Sequence, residues 1–355
     1  MRFRDSLSSE RGFTLLELLI ATAVTMAICG ATLMTFQQAM RVNETATLKV
    51  ETNDSLRTAM DLMVRDFIQV GQGLPAGKTI PLPSGVGATA VVRPSPPNQN
   101  YTLPFPATQE VLSAVTPGAA LGANVPGTAV ATDMVTVVYT DSRFDPVTCN
   151  LAADGSSMTV NSPTAIDTND ILLFTNSLGS AVQMVTGRMG LPAQTVTFAT
   201  GDPLNINQRG AAQGSIMDLR SGAAFPTTTV ARLRMVTYFL DTRPDPPQLI
   251  RCLNAECVLD PNGRRTVAFG IENLQLSYDL VDSVNNWANV KMNNADMAGG
   301  GACGVDPCSP NQIRKVNVFL GARSRQESTL TMRLVRNSLA TQVSFRSLAL
   351  VDRYQ

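Results

Sequence analysis

The sequence predicts an α+β protein: one long N-terminal helix followed by a large antiparallel β-rich domain. Three observations carry this. Residues 13–36 form a 24-residue run that is apolar apart from Glu17 and several threonines. No proline occurs before Pro75, and Leu56, Met60, Met63, Val64 and Phe67 repeat along one helical face. Beyond residue 130, short β-type runs recur between Gly, Asp, Asn and Pro.

The apolar run comes first. At about 1.5 Å per residue it spans roughly 36 Å as a helix, enough to cross a bilayer core. Residues 1–12 are polar and carry Arg2, Arg4 and Arg11, which hold the N-terminus in the cytoplasm. An ordinary secretory signal is cut after its apolar stretch at a small-residue site, and no convincing site of that kind follows. Glu17 lies inside the run, where a charge costs about 2.5–3.5 kcal/mol, so it needs a partner. If the chain is cut between Gly12 and Phe13, the new α-amino group of Phe13 lies one helical turn from Glu17. It can then pair with the carboxylate of its own subunit or of a neighbour.

The helix is expected to continue to Val70, roughly 87 Å from residue 13. Arg57, Asp61, Arg65 and Asp66 fall on its other face, and Gly71, Gly73 and Pro75 end it. Residues 74–130 are rich in Pro, Gly, Ala and Thr and read as a long irregular region with one strand at 88–93. Strands are expected at 134–139, 158–160, 171–174, 182–185, 195–198, 233–240, 248–253, 274–280 and 316–320, making one or two sheets.

The stretch Arg11-Gly12-Phe13-Thr14-Leu15-Leu16-Glu17-Leu18-Leu19-Ile20 resembles the cleavage and methylation motif of type IV pilins and type II secretion pseudopilins. The resemblance implies a leader over 1–12, cut by a prepilin peptidase after Gly12. It implies N-methylation of Phe13, and a role for Glu17 in docking the subunit into a fibre. The remainder then divides into a helix over 13–72, membrane-spanning at 13–36, and a β-rich periplasmic or extracellular domain over 73–355. Implied partners are the peptidase, other pilin subunits through the helix, and the inner-membrane pilus assembly machinery. The implied location is a single-pass inner-membrane protein with its C-terminal domain in the periplasm, then the pilus at the cell surface.

Weaker similarity runs along much of the chain. LRTAMDLMVRDFIQVGQG, TDMVTVVYTDSRFD, NDILLFTNSLGSAVQMVTG, AFGIENLQLSYDL and QIRKVNVFLGARS resemble segments of PilW-type minor pilins. Similar segments occur in J-type minor pseudopilins. The first reading is therefore a minor type IV pilin. A minor pseudopilin is the second reading, and an adhesin or binding domain exported by the pilin route is the third.

Composition narrows the chemistry. The formal net charge is zero, with 28 basic and 28 acidic residues, so no basic surplus points to nucleic acid. Histidine is absent, which excludes a Ser-His-Asp hydrolase and any zinc site that uses imidazole. GQGLPAGKT at 71–79 misses a phosphate loop by one position and follows a helix. No catalytic residue, metal or cofactor is assigned, and the chain is read as non-enzymatic. Asp154, Asp167 and Asp170 read as solvated turns rather than a calcium loop.

Six cysteines remain. Cys252 and Cys257 flank four residues between two β-like runs, and in a hairpin they would face each other at disulfide distance. Cys303 and Cys308 lie in a Gly-rich stretch where a bridge would add order. A four-cysteine zinc site is the rival reading, disfavoured by an oxidising compartment. Cys149 has no obvious partner, and Cys29 reads as an inert buried thiol.

Overall fold

The computed structural model describes residues 12–75, 79–96, 101, 110–160, 166–190, 194–260, 265–281, 286–292, 310–345 and 347. Helix α1 runs over Leu15–Gln69, 55 residues or about 82 Å. Strands β1 (Pro81–Leu82), β2 (Glu110–Val111), β3 (Val115–Gly118), β4 (Met134–Thr140), β5 (Val147–Leu151) and β6 (Ser157–Val160) follow. Next come β7 (Ile171–Thr175), β8 (Ser180–Met184), β9 (Gly187–Met189), β10 (Gln194–Thr197), β11 (Thr228–Asp241) and β12 (Gln248–Leu253). One helical turn, α2 (Glu256–Leu259), precedes β13 (Arg265–Phe269), β14 (Ile271–Val281), β15 (Asn286–Val290), β16 (Ile313–Ser328) and β17 (Arg333–Ser344).

Among the described residues, the strand pairings are antiparallel and make three sheets, of 2, 11 and 4 strands. The 14-residue β11 is the spine of the large sheet. Its first half pairs with β5 and β7, and its second half with β4 and β12. The four-stranded sheet runs β15-β14-β16-β17.

Packing follows the side-chain alternation of the strands. Leu274, Leu276 and Tyr278 of β14 and Val316, Val318 and Leu320 of β16 face one core. Val135, Val137, Val236 and Tyr238 of the large sheet face the same core, and so do Leu56, Met63 and Phe67 of α1. The second half of α1 is thus held between two sheets. A separate core beneath β5, β6, β7 and β10 contains Met158, Phe174, Val196 and Phe198.

Two devices join the sheets. Asp133, 1% exposed, accepts hydrogen bonds from the Ala120 amide (2.8 Å) and the Leu276 amide (2.6 Å). Gly270, at φ +77°, turns the chain from β13 into β14, and a Cβ there would lie 2.4 Å from the Arg323 carbonyl oxygen.

The structure amends the irregular region. Residues 88–93 form no strand; their amides are tied singly, Thr89 to the Gln208 side chain (2.6 Å), Val92 to the Leu204 carbonyl (2.9 Å) and Arg93 to the Tyr101 carbonyl (3.2 Å). Its strands are the short β1 and β2 and the four-residue β3, which is buried throughout. Tyr101 is fully buried, and its hydroxyl donates to the Thr116 carbonyl (2.5 Å). This part of the chain therefore contributes to the interior. Burial pushes the Tyr101 pKa up to about 12.

The Cys252–Cys257 disulfide is present, with Cα atoms 5.7 Å apart. Its setting differs from a hairpin. Asn254 takes φ +50°, and Cys257 lies on α2 rather than on a returning strand. Both cysteines pack with Tyr101, Met134, Phe239 and Ile250. Replacing both with serine is expected to lower stability by about 2 kcal/mol, read from urea unfolding with and without reductant. Reductant should then have little further effect on the variant. Cys303 and Cys308 lie outside the described residues. Cys149 is buried, its thiol directed at the Thr228 carbonyl (3.6 Å), and burial pushes its pKa up to about 11.

A buried ion cluster closes β4. Asp141 accepts from the Arg143 amide (3.0 Å) and pairs with Arg232 and Arg234 (both 2.7 Å). Burial alone would raise its pKa, but the amide and the two guanidiniums more than offset this and hold it below the ordinary value. A depressed carboxylate pKa contributes stability above the unfolded value, lost as pH falls through the folded one. Asp141→Asn is expected to cost about 1.5–3 kcal/mol at pH 7. It should also reduce the loss of stability below about pH 4, measured by urea titration at both pH values.

Candidate assembly site

The site begins at the start of α1. Gly12, Phe13 and Thr14 precede the helix, and Thr14 caps it at φ −74°, ψ 149°. The Thr14 hydroxyl accepts from the Glu17 amide (3.3 Å). In return the Glu17 carboxylate accepts from the Thr14 amide (3.0 Å) and the Thr14 hydroxyl (2.9 Å). This reciprocal capping box satisfies two backbone donors that the helix itself leaves free. It also turns the carboxylate back towards the chain's start. In the uncut chain the Phe13 nitrogen is a peptide amide, so the carboxylate uses Thr14, and an amine partner exists only after cleavage.

Gly12 sits in open space, where an added Cβ would meet nothing. The described residues give no steric reason for glycine there. Phe13 is 88% exposed.

Among the described residues, nothing packs against the apolar surface of the first half of α1. Leu15, Leu18, Ile20, Met26, Leu33 and Phe36 are all more than half exposed. This is the one described helix long and apolar enough to cross a membrane. Its polar atoms are handled internally. The hydroxyls of Thr22, Thr25, Thr32 and Thr35 donate to carbonyls three or four residues back. The helix runs unbroken through Gly30. Cys29 corrects its sequence reading: it is exposed, because no other described part of the chain reaches this level of the helix.

The second half of α1 is fixed by one residue that the helical period misplaces. Asp66 falls on the charged face in the sequence reading, yet it is 4% exposed. The Tyr238 hydroxyl donates to it at 2.6 Å and the Tyr139 hydroxyl at 3.4 Å. Arg251 grips both carboxylate oxygens, at 2.7 and 3.1 Å. Burial, then the Asp66 charge, raise both tyrosine pKa values, that of Tyr139 to about 12. Four charged or polar groups from α1, β4, β11 and β12 thus form a closed buried network, the arrangement that buried charge requires. Phe67 packs edge-on against Tyr238 and Phe345 on either side of it.

The acidic turns take protein partners. Asp167 pairs with Arg188 (2.6 Å), Asp170 with Arg232 (3.3 Å), and Asp154 accepts from its own Ser156. Among the described residues no three His, Cys, Asp or Glu side chains converge as metal ligands.

Residues 7–33 match the family described as the prokaryotic N-terminal methylation motif. The chain therefore carries a type IV prepilin-like N-terminus. The matched span contains Gly12, Phe13, Glu17 and most of the unpartnered apolar surface. No curated protein and no solved structure matches the chain. The prepilin-like motif implies processing by prepilin peptidase and assembly with pilin machinery. Its apolar helix is consistent with an inner-membrane anchor that later enters a pilus.

Proposed function

We propose that this protein is a minor type IV pilin, of the PilW-type that its sequence segments resemble. It is read as a structural and assembly subunit without enzymatic activity. One observation carries the reading: a methylation motif opens a single 55-residue helix whose first half has no partner and whose second half is locked into a large β domain. The apolar half is stored in the bilayer, where lipid covers it, and is then extracted into a fibre core, where neighbouring helices cover it. Cleavage after Gly12 frees the Phe13 amine, which pairs with a neighbour's Glu17 and neutralises both charges in an apolar setting. The bulk of the β domain favours a place at or near the fibre tip, where it does not clash with a repeating lattice. Immunolabelling along the shaft would contradict that placement.

Mass spectrometry of fibres sheared from cells tests the function. The expected result is a peptide starting with N-methylated Phe13 in the fibre fraction. A processed peptide confined to membranes would instead point to a minor pseudopilin of a secretion system. An uncut N-terminus would overturn both readings. Attachment lost with fibres intact would favour the adhesin.

A further inference from the structure

The β16–β17 hairpin reaches far down α1. Near its tip the Ser328 hydroxyl meets the Thr45 hydroxyl (2.7 Å), and the Thr329 hydroxyl donates to Glu44. Further up, the Asn337 side chain donates to Asn53. From Asn337 to Thr329 the partner on α1 moves from residue 53 to residue 44, so the tip of the hairpin points towards the apolar half. That turn exposes two large apolar side chains, Leu330 at 46% and Met332 at 74%. Met332 holds φ +52°, a region that long side chains seldom occupy. Arg333 and Glu327 flank the turn on the hairpin, and Arg41 and Glu44 lie on the helix beside it, whereas Arg325 is held over the Phe269 ring (4.9 Å).

The apolar run ends at residue 36, and the hairpin tip lies level with about residue 43, roughly 10 Å further on. The headgroup layer on each side of a bilayer core occupies about 5–8 Å of that distance. The apolar run, at roughly 36 Å, exceeds a core of about 30 Å, and a helix longer than the core tilts. A tilt towards the hairpin brings its tip to headgroup level. Exposed apolar side chains with arginines beside them fit that layer.

We propose that, before assembly, the β16–β17 turn docks on the periplasmic surface of the membrane through Leu330 and Met332, with Arg333 and Arg41 on anionic headgroups. This rests on the reading of 13–36 as a membrane span. The hairpin then acts as a second foot that fixes the tilt and rotation of the waiting subunit. Extraction must lift it before the helix can leave.

The test uses the full-length protein in vesicles of phosphatidylethanolamine and phosphatidylglycerol. An environment-sensitive fluorescent amino acid replaces Leu330, Met26 or Ile68 in turn. Met26 lies within the span, whereas Ile68, 53% exposed, lies on α1 roughly 48 Å beyond residue 36. The expected result is quenching at 330 by headgroup-labelled lipid, quenching at 26 by chain-labelled lipid, and neither at 68. Arg333→Ser should lower the docked-to-free ratio about fivefold in these vesicles and leave it unchanged in phosphatidylcholine. Quenching at 26 with position 330 no different from 68 would overturn the docking alone. No quenching at 26 would show that the anchor reading itself fails. A signal at 330 that vanishes on dilution to one copy per vesicle would assign the turn to a neighbouring subunit and overturn the proposal.

Discussion

Asp66→Ala protein is expected to lose about 2–4 kcal/mol of stability, because the change leaves the partly buried Arg251 guanidinium beside two phenols without its carboxylate partner. Urea unfolding at pH 7 reads this directly. Asp61→Ala, on the exposed face of the same helix, is the control and should stay within about 0.5 kcal/mol of the parent. Equal effects of the two substitutions would show that the Asp66 network does not hold the helix. The same network sets an alkaline limit. Both phenols have raised pKa values, so they contribute stability that is whole below the ordinary tyrosine value and is lost above it. The Tyr139 contribution should fade as pH climbs from about 10 towards 12.

Glu17→Leu should be cut and methylated as usual yet be depleted from fibres about a hundredfold. Removing the carboxylate relieves the roughly 2.5–3.5 kcal/mol cost of a charge in the membrane and so makes the stored state more comfortable. It also removes the partner of the Phe13 amine in the fibre. The ratio of fibre-bound to membrane-bound protein, by quantitative immunoblot, measures the shift. Normal incorporation would show that the carboxylate does not guide docking. A failure of cleavage would mean that the capping box with Thr14 shapes the peptidase substrate instead.

The parts legible from the sequence share one property: the signal is local. The apolar run, the charge of Glu17 inside it, and the 3.6-residue period to Phe67 are all read within a few turns of one helix, whereas the capping role of Thr14 came only from the structure. The central strands were legible too, since 134–139, 171–174 and 248–253 are runs of β-branched and apolar residues. Their ends were less clear. β11 begins five residues earlier than its apolar core, and β16 extends from Ile313 to Ser328 through alternating Arg, Ser and Gln. β17 was invisible, because its residues are mostly polar and exposed and its order comes from pairing with β16. Asp66 was misplaced for a related reason. Its helical angle puts it at the border of the apolar face, and only the tyrosines and arginine brought over by three distant strands make burial tolerable there.

The setting of α1 between two sheets has a mechanical consequence. A pull along the helix axis, of the kind an extraction motor applies, would not peel contacts away one by one. It would shear Leu56, Met63, Phe67 and the Asp66 grip against both walls at once, so the load is shared and the domain travels with its helix. A pull at right angles would open one wall at a time. The fold is therefore built to be hauled lengthwise.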